Sequence, residues 1–480
     1  MQINSRILIP VFILLLLLIV SQDISASGYA SSEDTTLVVT KTEVGHTPGH
    51  LPSAIMVLPF VILLGMIATG PLFYHHFWEK YYPIIAIFLG LITIVYYLFF
   101  LNDTHSLLHT AAEYLSFIAL LGSLFVASGG ILIRIERKST PWLNAGILLF
   151  GAVIANVIGT TGASMLLIRP FLKINEDRIK PYHIIFFIFL VSNVGGALTP
   201  IGDPPLFLGF LRGVEFFWVI QHVWYIWLPS ILLITAIFII TDFRNISKDD
   251  SGAKFSGKIE FKGMKNVFYL MIIVISVFID PGVMSWVPSL SPLPFGIREI
   301  IMFAMVFIAY RTADDEILKA NEFDFEPIKE VAYLFVGIFA TMIPALQLIS
   351  HEANVLRDSL TPGIFYWATG ILSSFLDNAP TYLNFLSAAL GKEGMDVGIP
   401  AEVARFANEF PVYLSAISIA AVFFGAMTYI GNGPNFMVKS ISERSGIRMP
   451  SFFGYMVKYS IPILIPIYII VWLVFYSHLG

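Results

Sequence analysis

The chain has 480 residues, of which 57% are hydrophobic and only 13% charged, against roughly 25% charged in a soluble domain. Together with a mean hydropathy of +0.79, this excludes a water-soluble globule. The net charge of -5 leaves no electrostatic footprint for nucleic acid, and the absence of Cys excludes a disulfide framework, a thiol nucleophile and a thiolate metal site.

Residues 1–27 read as a signal peptide: Arg6, an apolar stretch from Ile7 to Val20, then the small residues Ser25, Ala26, Ser27 and Gly28. The alternative is an uncleaved first helix. Residues 28–52 are polar and mildly acidic and suit a short external segment. Apolar spans then follow at about 54–73, 81–101, 110–133, 142–172, 182–213, 216–241, 265–282, 297–311, 329–350, 362–390, 410–447 and 452–478. A bilayer core needs ~20 apolar residues per helix. Segments 142–172, 182–213, 362–390 and 410–447 are longer than one crossing and are interrupted by polar or Gly/Pro-rich runs. Broken backbone is tolerated in lipid only where protein buries it or it lines a cavity.

Charge gives the orientation. Arg134, Arg137, Lys138, Lys173, Arg178 and Lys180 flank segment 142–172, and Arg244, Lys248, Lys254, Lys258, Lys262 and Lys265 fill the central loop. The positive-inside rule places them all in the cytoplasm. Segment 142–172 therefore has two cytoplasmic ends and must enter and return as a re-entrant hairpin. The same count puts both ends of 362–390 outside, and Lys439, Arg444 and Arg448 inside. The acidic loop 312–330 counts as cytoplasmic, since Asp and Glu contribute little to the rule.

The halves also resemble each other. Thr199-Pro200-Ile201-Gly202-Asp203-Pro204-Pro205 aligns with Thr428-Tyr429-Ile430-Gly431-Asn432-Gly433-Pro434. Gly159 to Ala163 sits in one hairpin where Asp377 to Thr381 sits in the other. The fold class expected is an all-α polytopic membrane protein built from two inverted repeats, each with a re-entrant hairpin and a broken transmembrane helix. The first repeat covers 53–242, a cytoplasmic linker 243–264 and the second repeat 265–480. Paired interrupted helices in inverted repeats point to a secondary transporter with its site near the midplane.

The hairpin tips and helix breaks carry Thr160, Thr161, Asn193, Thr199, Asp203, Asp377, Asn378, Thr381, Thr428, Asn432 and Asn435, the candidate ion- or substrate-binding residues. Hydroxyl, amide and carboxylate oxygens suit a hard cation such as sodium, whereas free N–H groups at half-helix N-termini suit an anion. Asp203 and Asp377 are functional candidates because ionisable groups inside a bilayer are costly. A carboxyl group that holds either a proton or a metal cation is the simplest antiport device. The alternative for each Asp is a helix cap. Gly195, Gly196, Gly202 and Gly431 are read as permitting special backbone angles, and Pro200, Pro204, Pro205, Pro380 and Pro434 as stopping helices. Asp280 and Glu113 read as interfacial. The His46/His50 and His105/His109 pairs have metal-gripping spacing but no evident carboxylate partner, so no metal site is expected beyond the transported cation.

The runs Ser192-Asn-Val-Gly-Gly-Ala-Leu-Thr-Pro-Ile-Gly-Asp203 and Phe375-Leu-Asp-Asn-Ala-Pro-Thr381 resemble NhaD-type sodium/proton antiporters. These belong to the ion-transporter superfamily, which also holds arsenite-efflux and citrate/dicarboxylate carriers. The resemblance runs from about residue 53 to the C-terminus. It implies two hairpins and two unwound helices split between scaffold and transport domains, with Asn193, Asp203, Asp377 and Asn378 at family ion-site positions. The chain departs from that pattern in two places. Pro204 and Pro205 follow Asp203 where hydroxyl residues are usual, and Asn156-Val157 stands where the first hairpin usually holds an Asp-Asn pair.

The leading expectation is a sodium (or lithium)/proton antiporter of the bacterial inner membrane, with no cofactor, transported Na+ and H+, lipid and small ions as partners, and a homodimer by analogy. The alternative is an anion carrier for citrate, another dicarboxylate or arsenite. An intramembrane aspartyl protease using Asp203 and Asp377 is a remote third. The chain has no GxxxxGK[ST] run for ATP-driven pumping.

Overall fold

The computed structural model describes residues 51–477 except 136, 138, 246–258, 282, 285 and 291–294. The signal-peptide reading, most of the external segment and Lys248, Lys254 and Lys258 lie outside the described residues. The protein is an all-α polytopic membrane protein. By length and composition, seven described helices could cross a membrane.

The first half opens with α1 (Leu58–Phe73), α2 (His75–Tyr96) and α3 (Thr104–Gly129), the last capped by Asp103, whose carboxylate accepts from the Ser106 amide at 3.0 Å. Next come α4 (Pro141–Ile174), α5 (Pro181–Leu190), α6 (Pro204–Leu211) and α7 (Trp218–Phe243). After the linker follow α8 (Met264–Ser276), α9 (Ile297–Thr312), α10 (Asp315–Ala320) and the long α11 (Glu326–Val355). The remainder is α12 (Pro362–Ser373), α13 (Asn378–Lys392), α14 (Pro400–Glu409), α15 (Pro411–Phe424), α16 (Gly433–Arg444), α17 (Phe452–Tyr455) and α18 (Ile461–Phe475). Helices α4, α5, α6, α12, α14, α15 and α16 carry Pro in their first two positions. There a missing N–H costs no helical bond and the fixed φ suits entry.

One feature departs from the sequence reading. A short antiparallel pair, β1 (Leu132–Ile135) and β2 (Ile259–Lys262), sets Leu132 opposite Lys262. It ties the loop after α3 to the segment read as a plain linker. Four residues per strand are too few for the period-2 pattern to stand out in sequence.

Helix α4 spans 34 residues, yet it cannot be one straight span. The Asn144 amide donates to the Asn175 Oδ1 at 2.8 Å and Asn175 returns the bond at 2.9 Å. Thirty-one residues of straight helix would separate them by about 46 Å. The chain reverses at Gly159, whose φ of 77° and ψ of 155° suit only a residue without Cβ. Helices α12 and α13 form the second hairpin. Tyr413 donates to the Leu360 carbonyl at 3.1 Å while the Lys392 ammonium lies 4.8 Å from its ring centroid, so both outer ends of that hairpin reach one residue.

The broken elements lie inside the protein. Every residue from Tyr182 to Leu198 is buried, whereas only 28% of the apolar window is buried in each of the spans that contain α1, α2 and α18. The unwound backbone of this segment thus sits where protein, not lipid, satisfies it.

Candidate functional site

The four chain breaks meet at Asp203. This residue is fully buried and is the N-cap of α6. Thr160, which begins the second arm of the first hairpin, donates its hydroxyl to Asp203 Oδ1 at 2.8 Å. Asn378, the first residue of α13, donates its amide to Oδ2 at 3.1 Å. Asn432, the N-cap of α16, donates to Oδ1 at 3.1 Å. A buried carboxylate without partners would be prohibitive; here three donors from three separate elements hold it.

A second ring supports the first. Asn193 donates to the Ile188 carbonyl at 2.8 Å and to Asn435 Oδ1 at 2.6 Å, and accepts from Asn432 at 3.3 Å. Asn435 donates in turn to the carbonyls of Gly425 at 2.9 Å and Thr428 at 3.0 Å. These side chains satisfy backbone that the unwound segments leave without helical partners.

The same contacts recur in both halves. Thr199 donates its hydroxyl to the Asn156 carbonyl at 2.6 Å and accepts from the Gly202 amide at 3.1 Å. Thr428 donates to the Ser374 carbonyl at 2.6 Å and accepts from the Gly431 amide at 3.1 Å. A Cβ on Gly196 would lie 2.5 Å from Thr160 Cγ2, and a Cβ on Gly425 would lie 2.5 Å from Asn378 Oδ1. Asp203 and Asn432 occupy equivalent N-cap positions, so the pair of breaks carries one charge, not two.

The glycines of the breaks act otherwise than the sequence reading held. Gly195, Gly196, Gly202 and Gly431 all lie outside the left-handed region. They are small because backbone packs on backbone within each break: a Cβ on Gly202 would fall 2.1 Å from the Gly196 carbonyl oxygen, and one on Gly431 2.8 Å from the Gly425 carbonyl oxygen.

Not every candidate joins the cluster. Thr161 is half-buried and enters none of these hydrogen bonds. Asp377 caps α13, accepting the Ala379 amide at 2.9 Å, and Thr381 donates back to the Asp377 carbonyl at 2.9 Å. No hydrogen bond among the described residues links Asp203 to Asp377, as a protease dyad would require. Two residues left off the candidate set belong to the architecture. Asn156 donates to the Gly195 carbonyl at 2.7 Å and accepts the Leu198 amide at 2.9 Å; Ser373 donates to Asn378 Oδ1 at 2.6 Å. Asn156 stood in the sequence as a departure from the family pattern, and its place four residues before Thr160 was the available signal.

Among the described residues, no Lys or Arg bonds to the Asp203 cluster. Positive potential comes instead from helix ends. Helices α6, α13 and α16 and the second arm of α4 all begin at the residues that surround Asp203, and each N-terminus carries roughly half a positive charge.

One outlying charged pair corrects the sequence reading. Glu113 is buried and paired with Arg212, the residue that ends α6, and it lies 3.8 Å from His109, which was read as lacking a carboxylate partner. Among the described residues, no group of three His, Asp or Glu is arranged to hold a metal ion.

The model of a family described as "Putative citrate transport" matches residues 49–476. No curated protein matches the chain at a significant level.

Proposed function

The chain belongs to this citrate-transport family, and on that premise we propose that it is a secondary transporter of a citrate-type polycarboxylate anion, moved together with a cation. The observation that carries the reading is the convergence of four helix N-termini around Asp203. Their N–H ends suit carboxylate oxygens, while the amides of Asn378 and Asn432 hold Asp203 in place. Asp203 organises these ends by holding both hairpins and both breaks in register. Among the described residues, the site contributes one negative charge and no Lys or Arg. A polycarboxylate bound there therefore needs a co-bound cation or proton to limit its electrostatic cost, which makes the carrier cation-coupled. Family membership favours this anion reading over sodium/proton exchange.

The second reading is sodium/proton antiport through Asp203. That no Lys or Arg among the described residues bonds to the cluster favours it. One assay separates the two: uptake of labelled citrate into proteoliposomes under sodium or proton gradients, with a pH-sensitive dye recording proton movement. Gradient-driven citrate uptake that disappears in Asp203→Asn supports the carrier reading. Sodium-driven proton movement without citrate, and no citrate uptake, overturns it in favour of antiport.

A further inference from the structure

The first hairpin carries a positive charge that the Asp203 cluster does not use. Arg169 lies on its second arm, about 14 Å along the helix from Thr160, toward the base that the charge pattern assigns to the cytoplasm. Its side chain is only 18% exposed, and its Nη2 lies 3.5 Å from Glu322 Oε2. Its Nη1 is buried and has no hydrogen-bond partner. Arg444, which ends α16, repels this guanidinium. A guanidinium fork matches the paired oxygens of one carboxylate, so the fork of Arg169 is half-filled. Most buried polar atoms are paired, and an orphan donor of this kind requires an explanation.

Glu322 is held against Arg169 in an unfavourable backbone conformation. The Phe323 amide donates to the Leu318 carbonyl at 2.9 Å and the Glu322 amide to the Lys319 carbonyl at 3.0 Å, which closes the end of α10. The left-handed position in such a cap usually belongs to Gly. Here Glu322 takes it, at φ 45°, which crowds its Cβ against the backbone. Both neighbours are fastened at the end of α3. Asn321 donates to the Gly129 and Ile131 carbonyls, each at 2.8 Å, and Phe323 covers Gly129 so closely that a Cβ there would fall 2.3 Å from its ring. The anchored loop thus directs one carboxylate at the hairpin. That carboxylate is 65% exposed, and an ion pair with one wet member contributes little, so an incoming carboxylate displaces it at small cost.

We propose that Arg169 is a carboxylate-binding residue on the inner route to the Asp203 site, and that Glu322 is a tethered competitor that fills half of its fork until the anion arrives, an inference that rests on the anion-carrier reading above.

The test exploits the absence of native Cys. In the purified full chain, Glu322→Cys sets a thiol beside Arg169 and removes the competitor. Relative to their rates with a free thiol, a sulfonate-bearing thiosulfonate reagent is expected to label it about tenfold faster than a trimethylammonium one, the size of one contact to a charge. Citrate, titrated against chloride at equal ionic strength, is expected to slow the labelling in a saturable way. Adding Arg169→Gln should erase both the preference and the protection. Labelling that ignores Arg169, or that citrate does not slow, overturns the site, as does protection by inorganic phosphate but not by citrate. If the Arg169→Gln chain is not monodisperse, Arg169→Lys, which keeps the charge but loses the fork, is read by its loss of citrate protection. The competitor is tested by the half-saturating citrate concentration in a thermal melt, which Glu322→Gln should lower and Arg169→Gln raise. A shift of both in the same direction, as a merely structural ion pair would give, overturns the competition. Labelled citrate uptake run in parallel separates the two readings. Protection without citrate uptake keeps the site and overturns the citrate-carrier reading. Citrate uptake without protection does the reverse.

Discussion

The carboxylate of Asp203 accepts the side-chain amide of Asn378 at 3.1 Å, across 175 residues of sequence. That single bond joins the first broken helix to the tip of the second hairpin. With the bonds from Thr160 and Asn432 it makes one residue the junction of both halves of the chain.

Asp203→Asn should therefore fail twice. Its new amide would face at least one of the donors that now point at Oδ1 or Oδ2, leaving buried groups unpaired at about 1–3 kcal/mol each. The expected result is loss of labelled citrate uptake together with a lower melting temperature in detergent. Unchanged stability and uptake would mean that the three hydrogen bonds do not organise the site.

Gly425→Ala should abolish uptake, because its Cβ would lie 2.5 Å from Asn378 Oδ1 and 2.9 Å from Asn193 Oδ1. Gly146→Ala is the internal control. Nothing lies within 4 Å of a Cβ there, and Ala replaces a mid-helix Gly with a gain of roughly 0.5–1 kcal/mol. Equal uptake by the two variants would remove the steric argument.

The hairpin reading of α4 can be checked by cross-linking, since the chain has no native Cys. Asn144→Cys combined with Asn175→Cys should join through a short thiol cross-linker in membranes, detected as a mass increment on one chain. A straight helix would hold the two positions about 46 Å apart, and no cross-link would form.

Glu113→Gln should destabilise the protein by about 3–5 kcal/mol, the usual consequence of leaving one member of a buried ion pair alone. Here the abandoned group is Arg212, which also approaches the Val397 carbonyl at 3.5 Å. The double exchange Glu113→Arg with Arg212→Glu should recover part of the loss in a thermal melt. No recovery would assign the effect of Glu113 to packing alone.

Much of this was legible in the sequence. The breaks at Thr199–Pro205 and Thr428–Pro434 announced themselves because Gly, Pro and polar residues cannot continue a helix through lipid. The hairpin at 142–172 was legible from the basic residues at both its ends. Asp203, Asn378, Asn432, Asn193 and Asn435 were candidates on residue type alone. The burial of Glu113 was not legible, because its partner Arg212 is 99 residues away. Nor was the network at the hairpin base, where Asp242 accepts from Tyr182 at 2.6 Å and from Asn144 at 2.9 Å.

The sequence by itself determined the solvent of this protein and the places where its helices must stop, because hydropathy and Gly/Pro chemistry act locally. It also marked the polar residues that a bilayer would not tolerate without purpose. Only the tertiary structure decided which of them share an atom. It separated Asp203, saturated by donors from three distant segments, from Asp377, a helix cap with an open oxygen. It also turned four glycines from residues read as permitting special backbone angles into points of close backbone contact. Those distinctions depend on which segments pack together across hundreds of residues, and no local pattern encodes that.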